Sequence, residues 1–473
     1  MSYRSIALSA VAGLVLASAA QAQSNRENDV LIDQIGTDNS AIINQTGQRN
    51  LAGSIVQPMV QDGIFNSLDI TQTGLDNQIG RIGRGLFQFG RRNTSVIFNE
   101  ITIIQDSDLN ILGSVVQRSR GAVTNGANTL SITQQGGNRN RINAVRQIQE
   151  AGEQGQRATV VMTGRRNLIA WVEQLSNDTG IDDSNEIDVT IVGSNNGRLS
   201  LSGFAAEPSL LDSSIVQEGD TVDTQVHGNK INLLIVGDDN RFGLRQGGRK
   251  NSMGLLTING DENQIGLRQD GTENNIQMSV IEGDGNEVGI DQIVTNTASV
   301  NLIGFSNDNR IYAFQQGTNE VTATVEGNRN TLRNVQDYLS GQGGNNLATM
   351  DVFGNLNFAD LEQLGGGIGA FGDNIFSLEI IGDRNNAGGP LLGAASRGGL
   401  TPGFFRQSGS GNEMAFTVAG SDNLFAAAQT GDANALTAVI SGEANQAAVV
   451  QIGSYNVASL IQSGSGNNAG IYQ

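Results

Sequence analysis

A period decides what this chain can fold into. Over residues 407–473 the pattern Gly-x-x-Asn recurs every eleven residues, at Gly409/Asn412, Gly420/Asn423, Gly431/Asn434, Gly442/Asn445, Gly453/Asn456 and Gly464/Asn467. Gln407, Gln429, Gln451 and Gln473 add a second rhythm at twenty-two. Self-similarity at a short fixed spacing implies a repeat architecture in which neighbouring units bury one another. The same pattern, more loosely spaced, appears from Gly36/Asn39 and Gly47/Asn50 onward, 24 copies in all.

The unit is legible as one strand and one turn. With each Asn counted as zero, +2 and +4 are apolar: Phe242 and Leu244 after Asn240, Ile265 and Leu267 after Asn263, Ala458 and Leu460 after Asn456. Position +6 is often Gln and +8 is Gly. Alternation with period two marks a half-buried strand. Gly reaches positive φ at little cost, and Asn is expected to take the left-handed region beside it. Two units make a rung. The fold class read here is all-β: a parallel β-solenoid of about 22-residue strand-turn-strand-turn rungs forming two facing parallel sheets. Allowing for insertions, about 16 to 19 rungs make a stack roughly 80–90 Å long.

Stacking sets each amide above the last, so side-chain ladders are expected along the axis. Their members are Gln34, Asn39, Gln45, Asn50, Gln407, Asn412, Gln429, Asn434, Gln451, Asn456, Gln462, Asn467 and Gln473. The turn glycines are Gly36, Gly47, Gly409, Gly420, Gly431, Gly442, Gly453 and Gly464.

Composition removes other classes. Gly is abundant at 63 and Pro scarce at 4, with 5% aromatics, so backbone pairing runs long and no thick globular core is expected. The absence of Cys excludes disulfides and thiolate chemistry. A formal charge of −19 argues against nucleic acid as a partner. His227 is the single His, which excludes a His-based triad or metal cluster. The acidic turns Gly237–Asn240, Gly260–Asn263 and Gly283–Asn286 were weighed as calcium sites, but they lack the calcium β-roll pattern. Trp171, at +4 from Asn167, is expected in the core. No cofactor, metal or catalytic residue is assigned, and the chain is read as a non-enzyme.

Residues 1–22 read as a secretory signal peptide: Arg4, an apolar run from Ile6 to Ala20, then Ala20-Gln21-Ala22. Nothing after it is apolar enough to span a bilayer. Residues 23–473 form one continuous repeat domain, with insertion loops at about 80–90, 146–157, 176–185, 203–226, 362–373 and 388–406.

The repeat resembles the curlin repeat of bacterial curli fibres, Gln-x-Gly-x-x-Asn-x-Ala-x-x-x-Gln. Gln34, Gly36, Asn39, Ala41 and Gln45 match it in full, as do Gln451, Gly453, Asn456, Ala458 and Gln462, and Gln462, Gly464, Asn467, Ala469 and Gln473. The shorter Gln-x-Gly-x-x-Asn starts at Gln45, Gln61, Gln72, Gln88, Gln135, Gln246, Gln269, Gln407 and Gln429. Middle repeats depart from it, with Val418 and Ile440 in place of Gln. The resemblance implies a secreted subunit that leaves through the periplasm and an outer-membrane channel of a Gram-negative cell. It would polymerise with itself on a nucleating curlin-like subunit into amyloid fibres of biofilm matrix and adhesion. The alternative is a cell-surface solenoid adhesin that stays a discrete folded monomer. The pattern runs to Gln473 without the polar cap a monomeric solenoid is expected to carry.

Overall fold

The computed structural model describes residues 27–54, 56–80, 85–90, 99–119, 128–149, 156–176, 185–219, 228–277, 279–303, 306–337, 345–365 and 373–473. The expected signal segment 1–22 and His227 lie outside them. The described residues form 35 β-strands and two short 3-10 helices. The chain is all-β, as read from the repeat. It divides into two compact units, residues 1–198 with 213–231, and residues 199–212 with 232–473.

Within the second unit each strand pairs in parallel with the strand one rung on, like position upon like. Gln407, Gln429 and Gln451 are successive Cα partners, as are Glu413, Ala435 and Val457. Inward positions alternate large and small: Phe416 lies on Ala438, and Phe425 on Ala447. That alternation admits a cluster of Phe376, Phe405, Phe416 and Phe425, with Phe405 centroids 5.1–5.8 Å from the other three. Interdigitation of this kind gives a thin core native packing density.

The turns differ from expectation in one detail. The left-handed residue is the one before Asn: Asp239, Glu262, Asp422, Ala433, Ala444 and Tyr455 all have φ between 54° and 62°. Asn itself turns its amide inward instead. Gly holds the other corner for two reasons. Gly409 has φ of 117°, and a Cβ there would lie 2.1 Å from the carbonyl oxygen of Gly431 one rung on.

Three of the six interruptions read from the sequence lead into strands, while residues 150–155, 177–184 and 366–372 of the other three lie outside the described residues. Leu86–Gly90, Ser214–Gly219 and Phe404–Ser408 carry Gln88, Gln217 and Gln407 into the stack. The polypeptide beside two of them forms straps on the outer face of the second unit. In the first, residues 199–212, the 3-10 helix Gly203–Ala206 lies over Gly266 and Gly289, and Leu201, Leu210 and Leu211 lie over Gly243. A Cβ on Gly266 would sit 1.9 Å from the Ala205 carbonyl oxygen, and one on Gly289 would sit 2.0 Å from that of Phe204. In the second, residues 387–402, the 3-10 helix Ala395–Gly398 packs on Ala426 and Ala448 with Leu391, Leu400 and Leu424. Its Ala395 N–H donates to Asn468 Oδ1 at 3.0 Å. Small outward residues at +3 make room for both.

Trp171 corrects a second expectation. It is half-buried on the outward side, and its Nε1–H donates to Glu173 Oε2 at 2.8 Å. In Leu168–Ser176 the inward residues are Ile169, Val172 and Gln174, so one extra residue shifts the phase and moves +4 outward.

Two buried polar groups carry a cost. Asn334 is 1% exposed in an inward column between Ala313 and Leu361, and neither Oδ1 nor Nδ2 has a partner. Asn334→Leu is expected to raise stability by about 1–3 kcal/mol, read from the denaturant midpoint; an unchanged midpoint would mean the amide is satisfied by water. Asp291 is 6% exposed with Oδ1 unpartnered, while Arg268 Nη1 lies 3.8 Å from Oδ2. Burial pushes its pKa up to about 6, against the pull of Arg268. Below pH 4 the group is neutral folded and unfolded and costs nothing. Between pH 4 and 6 the unfolded chain ionises first, so stability falls by about 2–3 kcal/mol and stays low above pH 6. Asp291→Asn should remove that slope. Amide exchange in the strand Glu287–Ile303 at pH 4 and pH 7, compared with wild type, tests it.

Candidate functional site: the amide ladders

A buried Gln has two N–H donors and an acceptor oxygen to satisfy, and a parallel in-register stack supplies one donor-acceptor pair along its axis. In the second unit the ladder runs from Gln246 through Gln269, Gln292, Gln315, Gln336, Gln363, Gln407, Gln429 and Gln451 to Gln473. Each Nε2 donates to the next Oε1 at 2.8–3.0 Å. Nε2 also donates across the rung to a backbone carbonyl of the opposite sheet, as Gln429 does to Glu413 at 2.8 Å and Gln451 to Ala435 at 3.2 Å. One side chain thus joins rung to rung and sheet to sheet. All Gln–Gln bonds of this ladder donate toward higher residue numbers, so their amide dipoles reinforce one another.

Asn forms the corners. Asn434 donates from its backbone N to Asn412 Oδ1 at 3.2 Å and from Nδ2 to the same oxygen at 3.0 Å, and to the Gly453 carbonyl at 2.8 Å. Asn456 repeats the bonds to Asn434. The other corner carries Asn385, Asn423, Asn445 and Asn467 in the same bonds, at 2.9–3.1 Å. Each Asn covers the orphan donors and acceptors of a tight turn.

The first unit has two Gln columns. Gln34 leads through Gln61, Gln88, Gln117, Gln147 and Gln174 to Gln217 at 2.7–3.2 Å. Gln45 leads through Gln72 and Gln105 to Gln134 at 2.7–2.8 Å, and Met162 is the next partner of Gln134. Asn39 bonds Asn66, and Asn50 bonds Asn77. Gly36 and Gly47 hold φ of 107° and 105°, each against the glycine of the next rung.

Two motif residues stand elsewhere than expected. Gln462 is not in a Gln–Gln bond: its column is Val418, Ile440 and Gln462. Its Nε2 donates to the Gln446 carbonyl at 2.9 Å and its Oε1, facing an aliphatic neighbour, has no partner. Gln135 is exposed, and Gln134 beside it takes the inward place. The spacing did not reveal Gln117, Gln147 and Gln174, which sit at +7 because of the extra residue that also turns Trp171 outward. A search for Gln at +6 or +7 from any Asn finds them.

The acidic turns use their carboxylates locally. Asp238 N–H donates to Asp261 Oδ1 at 2.7 Å, and Asp261 N–H to Asp284 Oδ1 at 2.8 Å. No group of three metal-ligating side chains occurs among the described residues.

Truncating one ladder member orphans two neighbours. Gln292→Ala strips the partner from Gln269 Nε2 and from Gln315 Oε1. The expected loss is about 2–4 kcal/mol, whereas Gln316→Ala, on the outward side, should stay within about 0.5 kcal/mol. Chemical denaturation of both variants checks the contrast.

Comparison with known proteins places one part of this stack. No curated protein matches the chain. Residues 442–473, which contain Gln451, Asn456, Gln462, Asn467 and Gln473, match the family model described as the curlin associated repeat.

Proposed function

We propose that the chain is a secreted, curlin-like structural subunit that self-assembles into extracellular amyloid fibres serving biofilm matrix and surface adhesion. The observation that carries this reading is the identical i to i+22 register of residues 407–473. Each rung there offers the next the same Gln and Asn bonds and the same parallel backbone pairing. A rung of one copy can therefore receive a rung of another through the bonds that join rungs within the chain. Export through the periplasm and an outer-membrane channel, and a nucleating curlin-like partner, belong to the same reading.

A second reading is a cell-surface solenoid adhesin that remains a discrete monomer. The straps and the uneven 27–43-residue steps between Gln partners in the first unit favour it, because irregular rungs stack poorly on one another.

Seeding separates the two. Residues 23–473, purified in denaturant and diluted into buffer, should show a thioflavin T lag that preformed fibres abolish, with diffraction near 4.8 Å. A flat trace from a soluble β-rich monomer would favour the adhesin. Gln451→Ala with Asn456→Ala and Gln462→Ala should slow seeded growth about tenfold, and unchanged kinetics would rule out the ladder as the assembly contact.

A further inference from the structure

Between the two straps, among the described residues, the outer face of the second unit carries no strap over most of the strands Arg310–Glu326, Thr331–Asp337, Phe358–Leu364 and Phe404–Ser408. The +3 position, which is Gly or Ala beneath the straps, is here Tyr312, Arg333, Asp360 and Phe404, four Cα partners in sequence. The tract spans about 14 Å across the strands. At one end the first strap stands above it. Phe204, Glu207, Tyr312, Phe314, Arg333 and Val335 enclose a recess of about 270 Å³.

The recess is built, not incidental. The Phe204 ring lies 5.9 Å from that of Tyr312, and the Arg310 guanidinium covers Phe204 at 4.9 Å. Arg310 Nε donates in turn to Glu287 Oε2 at 2.9 Å. Three aromatic rings gather here in a chain with 5% aromatics. Beside them Arg333 Nη1 donates to Asp360 Oδ1 at 2.9 Å, using one of the five N–H donors of the guanidinium.

Chemistry selects the ligand. Flat ring faces beside an Arg–carboxylate pair match a pyranose, whose C–H face is apolar and whose rim is lined with hydroxyls. Glu207 at the recess, within a chain of charge −19, disfavours anionic sugars, while Asp360 and Glu362 are paired with Arg333 and Arg406. The surface is a sheet face and not an edge, so it offers a peptide no backbone ladder. We propose that this recess binds a neutral, extended glycan, with pyranose faces on Tyr312 and Phe314 and hydroxyls held by Arg333, Asp360 and Glu207. The site lies on one unit of one chain and does not depend on self-assembly.

The test uses the full chain and a hexamer of β-1,4-linked glucose, followed by saturation-transfer NMR of the sugar protons. Wild type should bind saturably. Tyr312→Ala and Phe314→Ala should each weaken binding about 3- to 10-fold, while Tyr312→Phe keeps it. A galacturonate hexamer should bind at least about tenfold more weakly. Amide exchange across Arg310–Glu326 establishes that the variants fold; if Tyr312→Ala does not, Arg333→Gln at the open side of the recess decides. Absence of saturable binding, affinity unmoved by these variants, or equal affinity for the galacturonate hexamer would overturn the assignment. Thioflavin T kinetics of the same variants should match wild type, which keeps this outcome separate from that of fibre assembly.

Discussion

Parallel, in-register stacking sets each side chain above its own counterpart, and the rest of this structure follows from that condition. An inward residue must tolerate a copy of itself about 4.8 Å away on both sides. Aliphatic residues do so by contact. Carboxylates and ammonium groups do not, because like charges would face each other without water. The neutral amide succeeds because it carries donor and acceptor together, so a column of Gln or Asn satisfies itself. The Gly corner is the same condition applied to the backbone, since Gly409 must meet the carbonyl of Gly431 at a distance no Cβ permits.

This condition explains what the amino-acid sequence discloses. Whatever must repeat for the stack to form is visible as repetition: Gly-x-x-Asn, the apolar +2 and +4, and Gln at twenty-two in residues 407–473. Features that depend on a local change of phase are hidden. One added residue in Leu168–Ser176 sends Trp171 outward and moves Gln174 to +7, which no fixed template detects. The left-handed residue of the turn was also misplaced by one, because composition there varies from Asp422 to Ala433 to Tyr455 while the neighbouring Asn stays constant. Constancy marked the residue that bonds, not the residue that bends. The straps left a readable trace in Gly243, Gly266 and Gly289, and in Ala426, Ala448 and Gly470. Small outward residues on consecutive rungs imply something lying on them.

The two inward faces of the second unit divide the work. One carries the Gln ladder, and the other carries Ile258, Ile281, Leu302, Val325, Val352, Ile380, Val418 and Ile440 before Gln462. Aliphatic columns gain from burial but accept any register that keeps the faces inward. Amide columns add direction, because a displaced ladder leaves donors unpaired at about 1–3 kcal/mol each. Gln462 sits where one column type gives way to the other, and its unpartnered Oε1 is the local cost of that change.

Outward positions obey the opposite rule. Outward charges between residues 241 and 363 are shared between opposite signs. Arg245 and Arg268, stacked by register, share Asp270; Arg268 also faces Asp291, Glu287 pairs with Arg310, and Arg333 with Asp360. Such exposed pairs contribute little stability. They do distinguish one rung from the next, so a slip by a rung would part Glu287 from Arg310 and Arg333 from Asp360. In Glu413–Ala419, Ala435–Ser441 and Val457–Ser463 that distinction fades, and most outward residues are Ala, Thr, Val, Ile or Ser. On those strands the Asn corners and the Gln ladder across the rung fix the register, and they fix it equally well at every step of twenty-two. Rungs of the charged region fit one neighbour; rungs of the uncharged region are alike, which is the property that the proposed stacking between chains requires.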